Sequence, residues 1–289
     1  MAGAVGATSG LESVRTATSS RSAPVEVPLP VSENPLCTPH LEAENVHRVY
    51  NTIAEHWDHT RYKAWPRVDA FIRSQPPGSL VADLGCGNGK NIPAVKESGS
   101  FVLASDMSPP LVRIAADAHD TGTPKVGLLV ADCLCTPFRS GSFDAAVSIA
   151  VLHHLSTVPR RIQALREAAR ILRPQGEFLV YCWSYEQDAD ISASRHRFAT
   201  QDVLVPFHAV SRVKKPKDVS KTAGTTNALA NGVDSCGTAE AAPDVQQRYC
   251  HVYRSGELQE LLAQVPELEV VDIWFDTGNW CALARRRPD

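Results

Sequence analysis

No run of apolar residues in this chain approaches the ~20 needed to cross a bilayer, so a membrane-spanning role is excluded. None of its eight cysteines forms a C-x-x-C pair. Cys86, Cys182 and Cys281 sit in apolar surroundings and Cys133 and Cys135 flank Leu134, the pattern of small buried hydrophobes. That predicts a reducing compartment, the cytoplasm with the nucleus also open, and neither a disulfide framework nor a zinc site of the chain's own. Excess positive charge is missing too. With 29 Lys and Arg against 32 Asp and Glu the formal net charge is −3, so any RNA would have to be held by local patches or through a partner. The G-x-G-x-x-G fingerprint of a pyrophosphate site is also absent.

What is present, 289 residues with 43% hydrophobic and 21% charged, suffices for one globular domain with attached tails. Residues 1–39, rich in Ala, Ser, Thr, Val and Pro, read as a disordered tail. Glu12, Glu26 and Glu33 argue against a transit peptide despite Arg15 and Arg21. The domain is expected over 40–289, with a flexible insertion at about 212–245, where the chain is first basic and then rich in Ala, Thr, Gly and Asn.

The organising stretch is Val81-Ala-Asp-Leu-Gly-Cys-Gly-Asn-Gly-Lys90, an apolar strand running into a glycine-rich turn that opens a helix. Gly85, Gly87 and Gly89 let a ligand approach the main chain, with Cys86 and Asn88 between them and Asp83 at the strand end. A dinucleotide and S-adenosylmethionine both remain open at this loop. An acid beside it would repel a phosphate, so a sulfonium cofactor carrying an ammonium fits better. Phe101 to Asp106, followed by Met107, and Val126 to Asp132, followed by Cys133, are two more apolar strands ending in acids. Three acids at successive strand ends share one edge of one sheet, where the first can bind an amino group, the second a ribose and the third an adenine amine. A fourth strand ends at Ala150, just before His153.

Before the loop, Val46, Val49, Tyr50, Ile53, Ala54 and Trp57 make one helical stripe suited to docking on the sheet. Later, Ile162, Leu165, Ala169 and Leu172 mark an inner helix face, and Arg160, Arg161, Arg166, Arg170 and Arg173 are expected to look outward. Gly176 to Trp183 reads as an inner strand, and Leu268 to Phe275 with Asn279 to Ala284 as the closing pair of segments.

The order of strands and acids resembles the class I S-adenosylmethionine-dependent methyltransferases, which implies an α/β fold with a seven-stranded, mostly parallel sheet and an antiparallel terminal hairpin. Four stretches narrow the resemblance: Val46 to Arg67, Val81 to Lys90, Tyr181 to Gln187, and Gln201 to Phe207 together with Arg248 to Leu258. Together they resemble the eukaryotic tRNA wobble-uridine carboxymethyl methyltransferases, which include the stand-alone yeast enzyme and a domain fused to an AlkB-type oxygenase in animals. This family methylates the carboxylate of 5-carboxymethyluridine in the anticodon loop to give 5-methoxycarbonylmethyluridine. Neither an oxygenase nor an RNA-recognition domain is seen, which matches the stand-alone form. Four departures bear on how a base is stacked more than on the reaction: Ala64 for a proline, Phe207 for a tryptophan, Cys250 for a tyrosine, and a longer loop before Arg248.

The resemblance implies the roles to be tested. Arg61, Lys63, Arg248 and Arg254 are candidates to steer the carboxylate, with His153 near the transferred methyl. Tyr62, Trp65, Trp183, Phe207 and Tyr253 are candidates to stack a splayed base, and Gln201 and Asp202 belong to the same substrate-binding stretch. The cofactor would be held by Asp83, Gly85, Cys86, Gly87, Asn88, Asp106, Met107, Asp132, Cys133 and Ala150. A small zinc-binding methyltransferase activator subunit is implied as partner, beside the tRNA anticodon loop. The strand Val126–Val130, expected at a sheet edge, would leave an uncovered edge for it. Two alternatives stay open. One is a methyltransferase of a lipid, quinone or other metabolite, whose acceptor side should be apolar. The other is a binding module that has lost its chemistry, against which the intact Asp83, Asp106 and Asp132 argue.

Overall fold

The computed structural model describes residues 24–29, 34–58, 64–119, 125–187, 197–208 and 245–288. A short strand β1 (Val25–Glu26) is followed by α1 (His40–Glu42), which passes through a π-helical turn, Ala43–His47, into α2 (Arg48–Asp58). Then come α3 (Pro66–Arg73), β2 (Leu80–Leu84), α4 (Ile92–Glu97), β3 (Phe101–Asp106), α5 (Pro109–His119), β4 (Val126–Val130) and β5 (Phe143–Ile149). A 3₁₀ turn, Leu152–His154, leads to α6 (Val158–Ile171) and β6 (Leu172–Trp183). The chain closes with β7 (Asp202–His208), β8 (Val245–His251), α7 (Glu257–Leu262), β9 (Leu268–Asp276) and β10 (Asn279–Arg286).

Seven strands form one sheet in the order β4-β3-β2-β5-β6-β10-β9. The first five are parallel and β10 runs antiparallel to both β6 and β9. This is the class I methyltransferase architecture expected from the sequence, hairpin included, and it leaves β4 at an edge. β2 and β5 are apolar runs because both their faces are covered. One face packs on α6 and α7 through Leu165, Ala168, Leu258 and Leu262, the other on α3 and α4 through Val68, Ile72, Ile92 and Val95. Ile72 is fully buried, so its side chain contributes roughly 1.5–3 kcal/mol, and Ile72→Ala would leave a void beneath α3. At the start of helix α5 Ser108 Oγ accepts from Leu111 N–H at 3.5 Å, just before Pro109 and Pro110.

Within residues 1–39, Val25–Glu26 pairs antiparallel with β7 and the Pro35 and Cys37 carbonyls accept from Arg160; the rest of the stretch falls largely outside the described residues. One expectation needs correction. Arg160 and Arg161, read as outward, are buried. Arg160 Nη2 lies 2.9 Å from Glu42 Oε2 with both side chains 1% exposed, and Ser156 N–H and O–H donate to the same carboxylate. A lone guanidinium or carboxylate could not be buried there. The pair fastens α1 to α6. The insertion at about 212–245 lies outside the described residues except for Val245, where β8 begins.

Candidate functional site

A cavity of about 1000 Å³, open to solvent, lies at the carboxyl ends of β2, β3 and β5. Gly85, Cys86, Gly87, Asn88, Asp106, Met107, Asp132, Cys133 and Ala150, nine of the ten residues assigned to the cofactor, line it. Asp106 Oδ2 accepts from Gly87 N–H and its Oδ1 from Ser108 N–H, both at 2.9 Å. Burial raises the Asp106 pKa, and those two N–H groups offset part of the rise. Asp132 Oδ1 accepts from Leu134 N–H at 2.9 Å. Main-chain donors thus fix both carboxylates and leave them lone pairs for ribose hydroxyls or an adenine amine.

Gly85 has φ +82°, and a Cβ there would lie 2.2 Å from Val151 Cγ2, so the chain's own packing demands glycine before any ligand does. Ala150 holds φ 63°, an uncommon conformation for a residue with a Cβ, at the cavity wall.

Asp83 is the exception. It is buried behind the loop, where Oδ2 accepts from Asn91 at 3.1 Å and Oδ1 has no hydrogen-bond partner among the described residues. Burial pushes its pKa up to about 6, against the Asn91 hydrogen bond and the charge of Lys90. A carboxylate with an unsatisfied oxygen under the glycine turn fits a cationic ligand group, and the acids at the rim fit a nucleoside. The residues present therefore suit S-adenosylmethionine, with Asp83 acting from beneath the wall.

The N-terminal helices close the cavity with Glu42, Val46, His47 and Tyr50. Sequence reading missed His47 and Tyr50 as cavity residues. Tyr50 was visible only as part of the docking stripe, and the π turn that brings His47 in left no mark in the pattern. His47 faces Glu42, Asp132 and Asp106, yet burial outweighs these acids and lowers its pKa.

Beyond the cavity β7 and β8, unforeseen as strands, form a second sheet with β1. On it Arg248 is buried, its guanidinium 5.8 Å from the Trp183 ring centroid and 5.4 Å from that of Phe207. Trp183 also meets His153, ring centroids 5.2 Å apart, and its N–H donates to His153 Nδ1 at 3.2 Å. Arg248, Trp183, Phe207 and His153 thus converge, but of the two adjacent histidines it is His154, not His153, that lines the cavity. Nδ1 of His154 donates to the Tyr249 carbonyl and its Nε2 pairs with Tyr50 O–H, each at 2.8 Å. Burial lowers its pKa to about 3, which keeps it neutral. His153, His154 and Cys250 are close enough to hold a metal ion, but both ring nitrogens of His154 are already engaged.

Three residues of the substrate stretch stand in packing contacts. Tyr253 is fully buried with Arg161 above its ring, so no base can stack on it. Asp202 accepts from Tyr249 O–H at 2.6 Å and pairs with His251 Nδ1 at 2.8 Å. Gln201 Nε2 donates to Glu257 at 2.6 Å, and His251 Nε2 meets the same carboxyl at 2.6 Å. These groups hold the second sheet against α6 and α7. Arg254 is exposed, 4.9 Å over the Tyr185 ring, and Trp65 is half-buried beside Tyr181. Arg61, Tyr62 and Lys63 lie outside the described residues. No helix among the described residues is long and apolar enough to cross a membrane.

Comparison with known proteins agrees with this geometry. Residues 82–180 match the family described as "Methyltransferase domain". A tRNA (carboxymethyluridine(34)-5-O)-methyltransferase of Saccharomyces cerevisiae is 34% identical over 85% of this chain and 97% of its own length. The mouse tRNA (carboxymethyluridine(34)-5-O)-methyltransferase ALKBH8 is 32% identical over 85% of this chain, which spans only 44% of that relative. Among solved structures, the Haloferax volcanii complex of the Trm112 methyltransferase activator with a methyltransferase matches with a TM-score of 0.54 at 15% identity, covering 87% of this chain and 100% of that one, a likeness of fold. The full-length match to the yeast protein, together with the fold and cavity, shows that this chain belongs to the tRNA (carboxymethyluridine(34)-5-O)-methyltransferase family.

Proposed function

We propose that the protein transfers a methyl group from S-adenosylmethionine to the carboxylate of 5-carboxymethyluridine at the wobble position of tRNA, giving the methyl ester. The observation that carries this is the buried Arg248, stacked between Trp183 and Phe207 next to the cofactor cavity. A guanidinium takes a carboxylate with two parallel hydrogen bonds, and aromatic faces hold an unstacked base. An apolar metabolite pocket would not bury a cation.

A carboxylate with a pKa near ~4 is already ionised at neutral pH and needs no general base. The cofactor supplies an electrophilic methyl group. The chain's own residues align the nucleophile and exclude water. Arg248 orients the carboxylate and Arg254 raises the local positive charge. His153 fixes Trp183 through the main-chain N–H. Because the carboxylate loses its charge on methylation, these cations must steer it without holding it too firmly.

A small zinc-binding activator subunit is proposed to pair with β4. That strand bonds only to β3 among the described residues, and Val130 is 51% exposed. An open apolar edge is a liability that a partner strand removes.

The test is label transfer from methyl-labelled cofactor to an anticodon stem-loop RNA carrying 5-carboxymethyluridine, beside the same RNA with plain uridine. Label only on the first, released as methanol by mild alkali, is expected of an ester. Alkali-stable label, or equal transfer to plain uridine, would overturn the reading.

A further inference from the structure

A second group of cations and aromatics lies apart from Arg248. Lys90, at the cavity wall, places Nζ 4.8 Å over the Trp65 ring. Trp65 meets Tyr181 at 5.3 Å between centroids, Tyr181 meets Trp274 at 6.1 Å, and Arg67 lies 5.3 Å over Trp274. These contacts form a continuous path from the cofactor cavity to β9, the strand at the far edge of the sheet. Four separate pieces of chain supply it: the glycine loop, the start of α3, β6 and β9. Arg67 is exposed, Trp65 and Trp274 are half-exposed, and Tyr181 is the buried plate behind them. Its hydroxyl donates to Asp276 Oδ2 at 3.1 Å, and Asp276 Oδ1 takes the Thr277 hydroxyl at 2.8 Å, so the acid beside Tyr181 has a donor on each oxygen. Tyr181 and Trp183 are two residues apart on β6 and therefore face the same side of the sheet. The path thus continues the side on which Arg248 and Trp183 stand.

We propose that Lys90, Trp65, Trp274 and Arg67 form a track for the single-stranded nucleotides that flank the reacting base. The proposal rests on the RNA substrate above. Aromatic faces with a cation at each end are the chemistry of single-strand binding: bases stack on the rings and phosphates meet the charges. Arg67 is exposed beside the Trp274 ring and can turn its N–H groups to a phosphate. A track of this kind gives a protein of net charge −3 the local patch it needs.

The test is binding of an anticodon stem-loop to the full chain, by fluorescence anisotropy, at several salt concentrations. Arg67→Ala is expected to lower the slope of log affinity on log salt by about 0.7, the share of one single-strand phosphate contact. Trp274→Ala is expected to weaken binding at least ~5-fold through loss of a stacked base. Both should leave calorimetric affinity for S-adenosylhomocysteine within about twofold of the parent. If Trp274→Ala does not fold, the salt slope of Arg67→Ala, an exposed position, still decides. An unchanged slope and affinity in Arg67→Ala overturns the track, and so does an equal loss of cofactor affinity, which would mean a deformed pocket. Because binding is read separately from methyl transfer, a parent protein that binds the RNA but never methylates it would overturn the proposed reaction and leave the track standing.

Discussion

Around the cofactor cavity the main chain holds the acids, whereas around the second sheet side chains hold one another. Asp106 and Asp132 accept from the N–H groups of Gly87, Ser108 and Leu134, all in the turns that follow strands of the sheet. Asp202, by contrast, is fixed by Tyr249 and His251, 47 and 49 residues away, and Arg161 approaches it to 3.8 Å from α6. A backbone-held site survives most side-chain changes around it. A site held by buried side chains stands or fails as a network. The difference predicts that substitutions on the cofactor side act on affinity, and those on the acceptor side act on rate and on folding.

The largest effect is expected at Arg248. Arg248→Ala should lower the methyl-transfer rate about 10²-fold or more, the scale of losing alignment at a reacting centre, with cofactor affinity unchanged by calorimetry. A comparable loss of cofactor affinity would erase the distinction between the two sides. Next in size is Asp106→Ala, which removes the acceptor for two N–H groups and a proposed ribose partner. At about 2 kcal/mol for a hydrogen bond to a charged group, cofactor affinity should fall roughly 30-fold, while the rate at saturating cofactor changes little.

The same contrast decides what could be read from the sequence. An acid closing an apolar strand before a turn is a local pattern, so Asp106, Asp132 and the strand order were legible, as was the β9–β10 hairpin. Arg160 and Arg161 were not. Arg160 falls off the Ile162, Leu165 and Ala169 stripe and Arg161 only flanks it, one turn before Leu165; the burial of both depends on Glu42, Asp202 and Glu257 far away in sequence. Tyr253 carried the same ambiguity, since an aromatic next to Arg254 reads as exposed until the fold puts Arg161 on its ring. For β7 the alternation of buried Val203 and Val205 was present, whereas β8 buries four residues in a row, Arg248 to His251, and carries no alternation to read. Each strand was too short, and too far from its partner in sequence, to stand out from the insertion between them.

The side-chain network should also set the acid limit of folding. Burial pushes the Asp202 and Glu257 carboxyls up, but hydrogen bonds from His251, with those of Tyr249 and the Arg254 N–H, hold both below the usual carboxylate range. A depressed carboxyl adds stability above its unfolded pKa of ~4 and loses it as pH falls towards the folded value. Thermal denaturation should therefore show the protein melting earlier below about pH 4. His251→Ala removes the donor that the two acids share, leaving them Tyr249, Gln201, the Arg254 N–H and Arg161, and should cost about 2 kcal/mol at pH 7, with a weaker acid dependence. An unaltered melting profile would mean that the network is not what holds the second sheet.

The smallest expected effect is none, and it discriminates most sharply between reactions. A carboxylate acceptor with a pKa near ~4 has no proton to lose between about pH 6 and 8.5, so the single-turnover rate at saturating cofactor should be flat across that range. Methylation that begins by removing a proton from nitrogen, carbon or a hydroxyl would rise about tenfold per pH unit below the pKa of its base. His154 cannot supply such a base at these pH values through a titration of its own, because burial keeps it neutral throughout and both its ring nitrogens are engaged. Arg254→Ala should lower the rate while leaving the profile flat, since a guanidinium does not titrate here. A unit slope through neutrality in the unmodified protein would rule out the carboxylate, and His153, beside Trp183 at the acceptor side, would then be the first base to examine by substitution.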